Sequence, residues 1–186
     1  MRGRAVRRRR GKALADRVAI APWSDAGPEG WLPEGTAQHV PAGFLSLPLQ
    51  RTALAAADRY ARRLAARGAE VMVVADAGGQ NGGRDWVEHL DAVGGLTAIA
   101  TRHGLRLALY PDADLERFLV DCEADLCVDA GHLRRAGIDP VELIDAFPNR
   151  IRHVHLEQAD DAVVEALRRH GYDGWITVEP AGALGR

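Results

Sequence analysis

From residue 43 onward the chain alternates between two kinds of apolar pattern. TALAAADRYARRLAARG (52–68) repeats its apolar positions every three or four residues and stops at Gly68, which predicts an amphipathic helix with a glycine end. AEVMVVAD (69–76) is a continuous apolar run, as expected of a strand covered on both faces. The exchange then recurs. Helices are predicted over 85–103, 112–122, 139–147 and 160–171, and strands over 105–110, 124–129, 151–156 and 174–179. The helix at 139 has a clear start, with Asp139 as N-cap and Pro140 in its first position. Two earlier strand candidates are RVAIAP (17–22) and GFLSLPLQ (43–50), the second weakened by Pro48. Strict alternation from residue 43 predicts an α/β fold with parallel strands joined by right-handed crossovers. Such a sheet closes either as an open doubly wound layer or as a (β/α) barrel. A complete eight-unit barrel typically takes about 200 to 250 residues, and this chain has 186.

Two units are expected: a basic flexible arm over 1–16, with Arg7, Arg8, Arg9 and Arg10, and a domain over 17–186. Composition narrows the function classes. Hydrophobic residues make up 47% and charged residues 27%, so the chain reads as soluble and globular. The net charge of -2 gives no general attraction to nucleic acid or an anionic membrane. No apolar run approaches the roughly 20 residues of a membrane span. The basic start is not followed by an apolar segment, so no secretory signal is expected and the predicted location is cytoplasmic. Cys122 and Cys127 are too few for a disulfide scaffold and read as buried thiols. Lys12, in the arm, is the one lysine, which leaves no pocket lysine for a Schiff base. The only serines are Ser24 and Ser46, and no G-x-S-x-G is present, which argues against a serine hydrolase. AGGQNGGRDW (77–86) follows a strand but lacks the G-K-[ST] of a P-loop, so it reads as an active-site loop.

In α/β folds of either closure, chemistry collects at the carboxyl ends of strands. Here those ends carry Asp76, then Tyr110 and Asp112, then Asp129 and His132, then His153, His155 and Glu157, and last Glu179. Period-two alternation puts His153 and His155 on one face of their strand, with Arg152 and Val154 on the other. Taken singly, a strand-end Asp is usually a helix N-cap and a strand His usually a satisfied core residue. Taken together, imidazoles and carboxylates without a thiolate suit Mn²⁺, Co²⁺, Zn²⁺ or Mg²⁺.

LCVDAGHL (126–133), HVHLE (153–157) and GWITVEP (174–180) resemble the D-x-x-H, H-x-H and terminal strand-end Glu of the xylose isomerase-like TIM-barrel superfamily. That group includes sugar isomerases and epimerases, inosose dehydratases and endonuclease IV. GPEGWLP (27–33) and GFLSLPLQ (43–50) resemble segments of the inosose dehydratase branch. The resemblance implies a shortened or incomplete (β/α) TIM barrel with parallel strands. It implies Asp129, His155 and Glu179 as metal ligands, with His132 beside substrate and His153 in support; Glu179 and His132 are the catalytic candidates. His132, His153, Asp112 and Glu157 form the candidate substrate side. The implied reaction on a sugar or cyclitol passes through an enediolate. The family's first ligand is a Glu on the strand here read as 105–110, where this chain has Tyr110 and then Asp112, with Glu116 in the next helix. Glu157 stands where the family usually has Lys. Two other readings follow: a catalytically degenerate sugar- or metal-binding relative, and an endonuclease IV-like enzyme using the Arg arm. Against the latter, ligands for a three-zinc cluster are not evident, and nucleic acid is not an expected partner. An incomplete barrel leaves a sheet edge, so a homodimer or an edge capped by the N-terminal segment is expected.

Overall fold

The structure, a computed structural model, describes residues 18–20, 42–47, 54–76, 86–110 and 115–178. The arm over 1–16, the loop over 77–83, Asp112 and Glu179 lie outside the described residues. The described elements run β1 (Val18–Ile20), β2 (Ala42–Leu47), α1 (Leu54–Ala66), β3 (Val71–Asp76), α2 (Trp86–Arg102), β4 (Arg106–Tyr110), α3 (Leu115–Asp121) and β5 (Asp125–Asp129). They continue as α4 (Ala130–Arg135), α5 (Pro140–Ala146), a 3-10 turn (Pro148–Arg150), β6 (Ile151–Leu156), α6 (Asp161–Arg169) and β7 (Trp175–Val178). Every strand and helix that the periodicity predicts has a counterpart among them.

Strand order decides between the two closures. The seven described strands form one sheet in the order β1-β7-β6-β5-β4-β3-β2. Each neighbouring pair is parallel. A doubly wound sheet reverses its order at a switch point. This one runs straight round, and its last strand returns to lie beside its first, which is the order of a barrel. No ladder joins β1 to β2 among the described residues, so the (β/α) barrel is incomplete there.

Both faces of the strands are buried, which is why they read as unbroken apolar runs. Met72, Val74, Leu107, Leu109, Leu126, Val128, Val154, Leu156 and Ile176 face the helices and join one large core. Helix α1 meets it with Ala57, Tyr60, Ala61 and Leu64, the i, i+3, i+4, i+7 stripe of an amphipathic helix. It ends on Gly68, whose positive φ of 79° lets the chain turn while Ala69 N–H bonds back to the Leu64 carbonyl at 3.1 Å. Val71, Val73, Ala108 and Cys127 form a second, smaller cluster on the opposite face, the barrel interior, with Tyr110 packed against it.

Two features depart from expectation. Helix α4 is not among the predicted elements. It begins without a break at the end of β5, because the last strand residue, Asp129, is also its N-cap. It ends at Gly137, with φ of 78°, where Ile138 N–H bonds the Leu133 carbonyl at 2.9 Å. The second departure is a β-bulge. Leu126 aligns with Ile151, but Cys127 aligns with His153, so Arg152 is an extra residue in β6. Simple alternation places Arg152 away from the neighbouring strand's interior residues; the bulge instead lets it reach Asp125, 3.1 Å from Nε to Oδ2.

Candidate metal and substrate site

The bulge places the site. Had β5 and β6 kept the register they start with, Asp129 would stand beside Val154, which faces the helices. The extra residue moves His155 into line with Asp129, and both point into the barrel interior at the carboxyl ends of their strands. The Asp129 and His155 side chains are 7% and 5% exposed, and His155 Nδ1 donates to Asp129 Oδ2 at 2.7 Å. A carboxylate can only accept, so Nδ1 carries the proton in this pair. The other oxygen, Oδ1, accepts from the His132 backbone N–H at 2.7 Å and caps α4. The Tyr110 hydroxyl, at the end of β4, lies toward the same carboxylate and helps to hold its pKa down. Burial works to raise the Asp129 pKa. The His155 hydrogen bond, the His132 N–H, the His155 charge and the Tyr110 hydroxyl together overcome it and hold the carboxyl below its ordinary value.

One layer deeper lie His153 and Cys127, while Thr177 of β7 stands level with His155. His153 is 1% exposed, and its Nε2 pairs with Thr177 Oγ1 at 2.9 Å. Burial, helped by the nearby His155, pushes its pKa down to about 3, so the imidazole is neutral at neutral pH. Its depth gives it a place beneath His155 rather than at the mouth. Burial, and then the Asp129 charge, push the Cys127 thiol up, so it stays protonated.

The rim carries His132, Glu157 and Arg135. The half-buried His132 ring meets the Tyr110 ring edge-on, with centroids 5.1 Å apart. Glu157 is exposed and forms an ion pair with Arg135 of α4. Its carboxylate sits where a Cβ on residue 131 would project. Gly131 thus lets Glu157 lie across the first turn of α4. Burial, then the Asp129 charge and hydrogen bond, raise the Tyr110 pKa, so the phenol acts as a donor.

Of the candidates from sequence, Asp129, His132, His155 and Glu157 come together around one strand-end mouth, with His153 below; Asp112 and Glu179 lie outside the described residues. Tyr110, Thr177 and Arg135 complete the arrangement. Thr177 was open to detection by alternation, two positions before Glu179 on β7. Arg135 had no such signal, because its helix was not predicted.

Asp129 and His155 fit a divalent ion as neighbouring ligands. Two donors about 2.1 Å from a metal at a right angle stand about 3 Å apart, close to the 2.7 Å between Oδ2 and Nδ1. Replacing the shared proton by a cation therefore needs only a small widening. Among the described residues no group of three His, Cys, Asp or Glu converges, so further donors would come from elsewhere in the chain.

No family model matches the chain. Among characterised proteins it is similar to an inosose dehydratase of Lacticaseibacillus casei, 26% identical over 117 residues, a match spanning 44% of this chain and 39% of that protein. It is also similar to an inosose dehydratase of Geobacillus kaustophilus (strain HTA426), 42% identical over 66 residues, or 32% of this chain and 21% of that protein. The matches thus span well under half the length of these relatives. Among solved structures, an L-ribulose 3-epimerase superposes with a TM-score of 0.63 at 17% identity, covering 74% of this chain and 61% of that one. An IolI protein with a bound zinc atom superposes with a TM-score of 0.54 at 14% identity, covering 73% of this chain and 66% of that one. At these identities the structural likeness is one of fold. Barrel strand order and the local sequence matches agree: the chain folds as an incomplete (β/α) barrel and is similar to inosose dehydratases over part of its length.

Proposed function

We propose that the protein is a cytoplasmic, metal-dependent enzyme acting on a small sugar or cyclitol, as an isomerase, an epimerase or an inosose dehydratase-like lyase. The observation that carries this reading is the buried Asp129–His155 pair at the strand ends, with His132 beside it. Asp129 and His155, with Glu179, would hold Mn²⁺, Co²⁺, Zn²⁺ or Mg²⁺. Such an ion supplies Lewis acidity to a carbonyl and its neighbouring hydroxyl, which acidifies the hydrogen on the carbon beside the carbonyl. The residues do the rest. Glu179 takes that proton and leaves an enediolate; returning it to a different face or carbon gives epimerisation or isomerisation, and loss of a neighbouring hydroxyl gives dehydration. His132 steadies a substrate hydroxyl, Glu157 accepts from a hydroxyl at the rim, Asp112 is a further acceptor for substrate, and neutral His153 supports His155 from below.

Proton exchange tests the shared first step. The protein is incubated in D₂O with Mn²⁺ or Co²⁺ and a panel of inososes and ketoses. Deuterium is expected at the carbon beside the carbonyl, and none is expected with Asp129→Asn. Absence of exchange across the panel counts against the enzyme reading. A second reading, a sugar- or metal-binding relative without turnover, is favoured by Tyr110 standing at the end of β4, where the resemblance implies a Glu ligand. It predicts binding of metal and sugar with no exchange.

A further inference from the structure

Tyr110 has no role in either reading, yet it touches the site from two sides. It lies at the carboxyl end of β4, beside β5 in the sheet. Its ring packs on Val71, Val73, Ala108 and Cys127, the apolar layer of the barrel interior. That base is buried, so the ring has little freedom to swing away. From this fixed place it reaches both groups that face a ligand. The hydroxyl lies on the side of the Asp129 carboxylate, close enough to lower its pKa. The ring meets the His132 imidazole in a T-shaped arrangement, 5.1 Å between centroids and 66° between planes.

We propose that Tyr110 is a positioning residue for the site: its hydroxyl sets the orientation of the Asp129 carboxylate, and its ring sets that of the His132 imidazole. The carboxylate torsion of Asp is broad, so it needs outside restraint to hold one orientation. Two restraints come from the His132 N–H and His155 Nδ1, both at 2.7 Å. A ligand that displaces the His155 proton removes one of them. The Tyr110 hydroxyl then remains with the His132 N–H to keep the carboxylate aimed. His132 presents a different problem. Its backbone is fixed in the first turn of α4, but that fixes only where the side chain begins. The Tyr110 ring supplies the wall that selects its rotamer. As far as it concerns metal, the inference rests on the ligand roles proposed above; its effect on the two side chains does not.

The test uses the full chain with Tyr110→Phe, which keeps the ring, and Tyr110→Leu, which removes ring and hydroxyl. In metal-free protein, ¹⁵N signals of the imidazole rings are compared with wild type. Tyr110→Phe should move the His155 ring signals, through Asp129, and leave those of the His132 ring. Tyr110→Leu should move both, while the His153 ring signals one layer down stay in place. A residue that only fills space predicts no such split. Co²⁺ titration is the second readout. Both variants should bind Co²⁺ about 10-fold or more weakly than wild type, and the visible absorption bands at saturating Co²⁺ should shift because the carboxylate no longer meets the ion at the same angle. Unchanged His132 and His155 ring signals in Tyr110→Leu would overturn the inference. If wild-type protein takes up no Co²⁺, the metal reading falls, and the ring signals still decide the role of Tyr110.

Discussion

His153 makes the barrel interior sensitive to acid, and the size of the effect follows from its burial. In the folded chain its pKa is pushed down to about 3 from an ordinary value of 6.5, first by burial and then by His155. The unfolded chain therefore takes up a proton as pH falls through about 6.5, and the folded chain does not. A group with a depressed folded pKa contributes stability above its unfolded pKa and loses it as pH falls toward the folded value. At pH 5 the unfolded imidazole is about 1.5 units below its pKa, and each unit is worth about 1.4 kcal/mol. Between pH 7 and pH 5 His153 should thus cost the fold about 2 kcal/mol. This window lies above the range in which most carboxylates titrate. The perturbation is His153→Gln, an amide that can still bond Thr177. Urea unfolding followed by tryptophan fluorescence at pH 7 and pH 5 gives the stability of both proteins. Wild type should lose about 2 kcal/mol more than the variant across the window. Equal losses would show that His153 accepts a proton in the folded state and that burial does not hold it neutral.

Three further outcomes follow from the same geometry. Arg150 donates to the carbonyls of Leu119 at 3.0 Å, Cys122 at 2.6 Å and Ala124 at 2.7 Å, tying the end of α3 to the start of β6; Arg150→Ala should lower stability by about 2–4 kcal/mol in chemical denaturation, with Arg150→Lys recovering only part because an ammonium lacks the forked geometry. Asp129→Ala removes both the cap of α4 and the partner of a buried imidazole, so it should cost about 2–4 kcal/mol; Asp129→Asn can still accept from His132 N–H and should recover about 1 kcal/mol of that by thermal melting. β1 and β2 are the edges of the described sheet, and a dimer is expected to cover one of them; light scattering after size exclusion should give twice the chain mass, and a monomer whose edge amides exchange freely would contradict it.

The fold was legible because its strands are buried on both faces and its helices on one. Runs such as VMVVAD and stripes such as Ala57, Tyr60, Ala61 and Leu64 announce themselves without tertiary information. Helix α4 escaped because its start is hidden: Asp129 ends a strand and caps a helix in the same residue, so no polar linker separates the two patterns. The bulge at Arg152 was also out of reach, since nothing in IRHVHL marks one residue as surplus. Yet that bulge brings His155 level with Asp129. The site residues could be named from their types and strand ends, whereas their pairing depends on register, which only the folded sheet shows. The modest expectation for a strand-end aspartate holds here. Asp129 is an N-cap through Oδ1 and accepts from His155 through Oδ2.

The proposed place of the Asp129–His155 pair in a divalent metal site can be tested on metal uptake alone. The direct measurement is Co²⁺ and Mn²⁺ uptake by calorimetry for wild type, Asp129→Asn and His155→Gln, each checked for folding by circular dichroism. Wild type should bind saturably, and either variant at least about 100-fold more weakly, because each removes a donor atom that would touch the ion. Uptake unchanged in both folded variants, or absent from wild type, would contradict it.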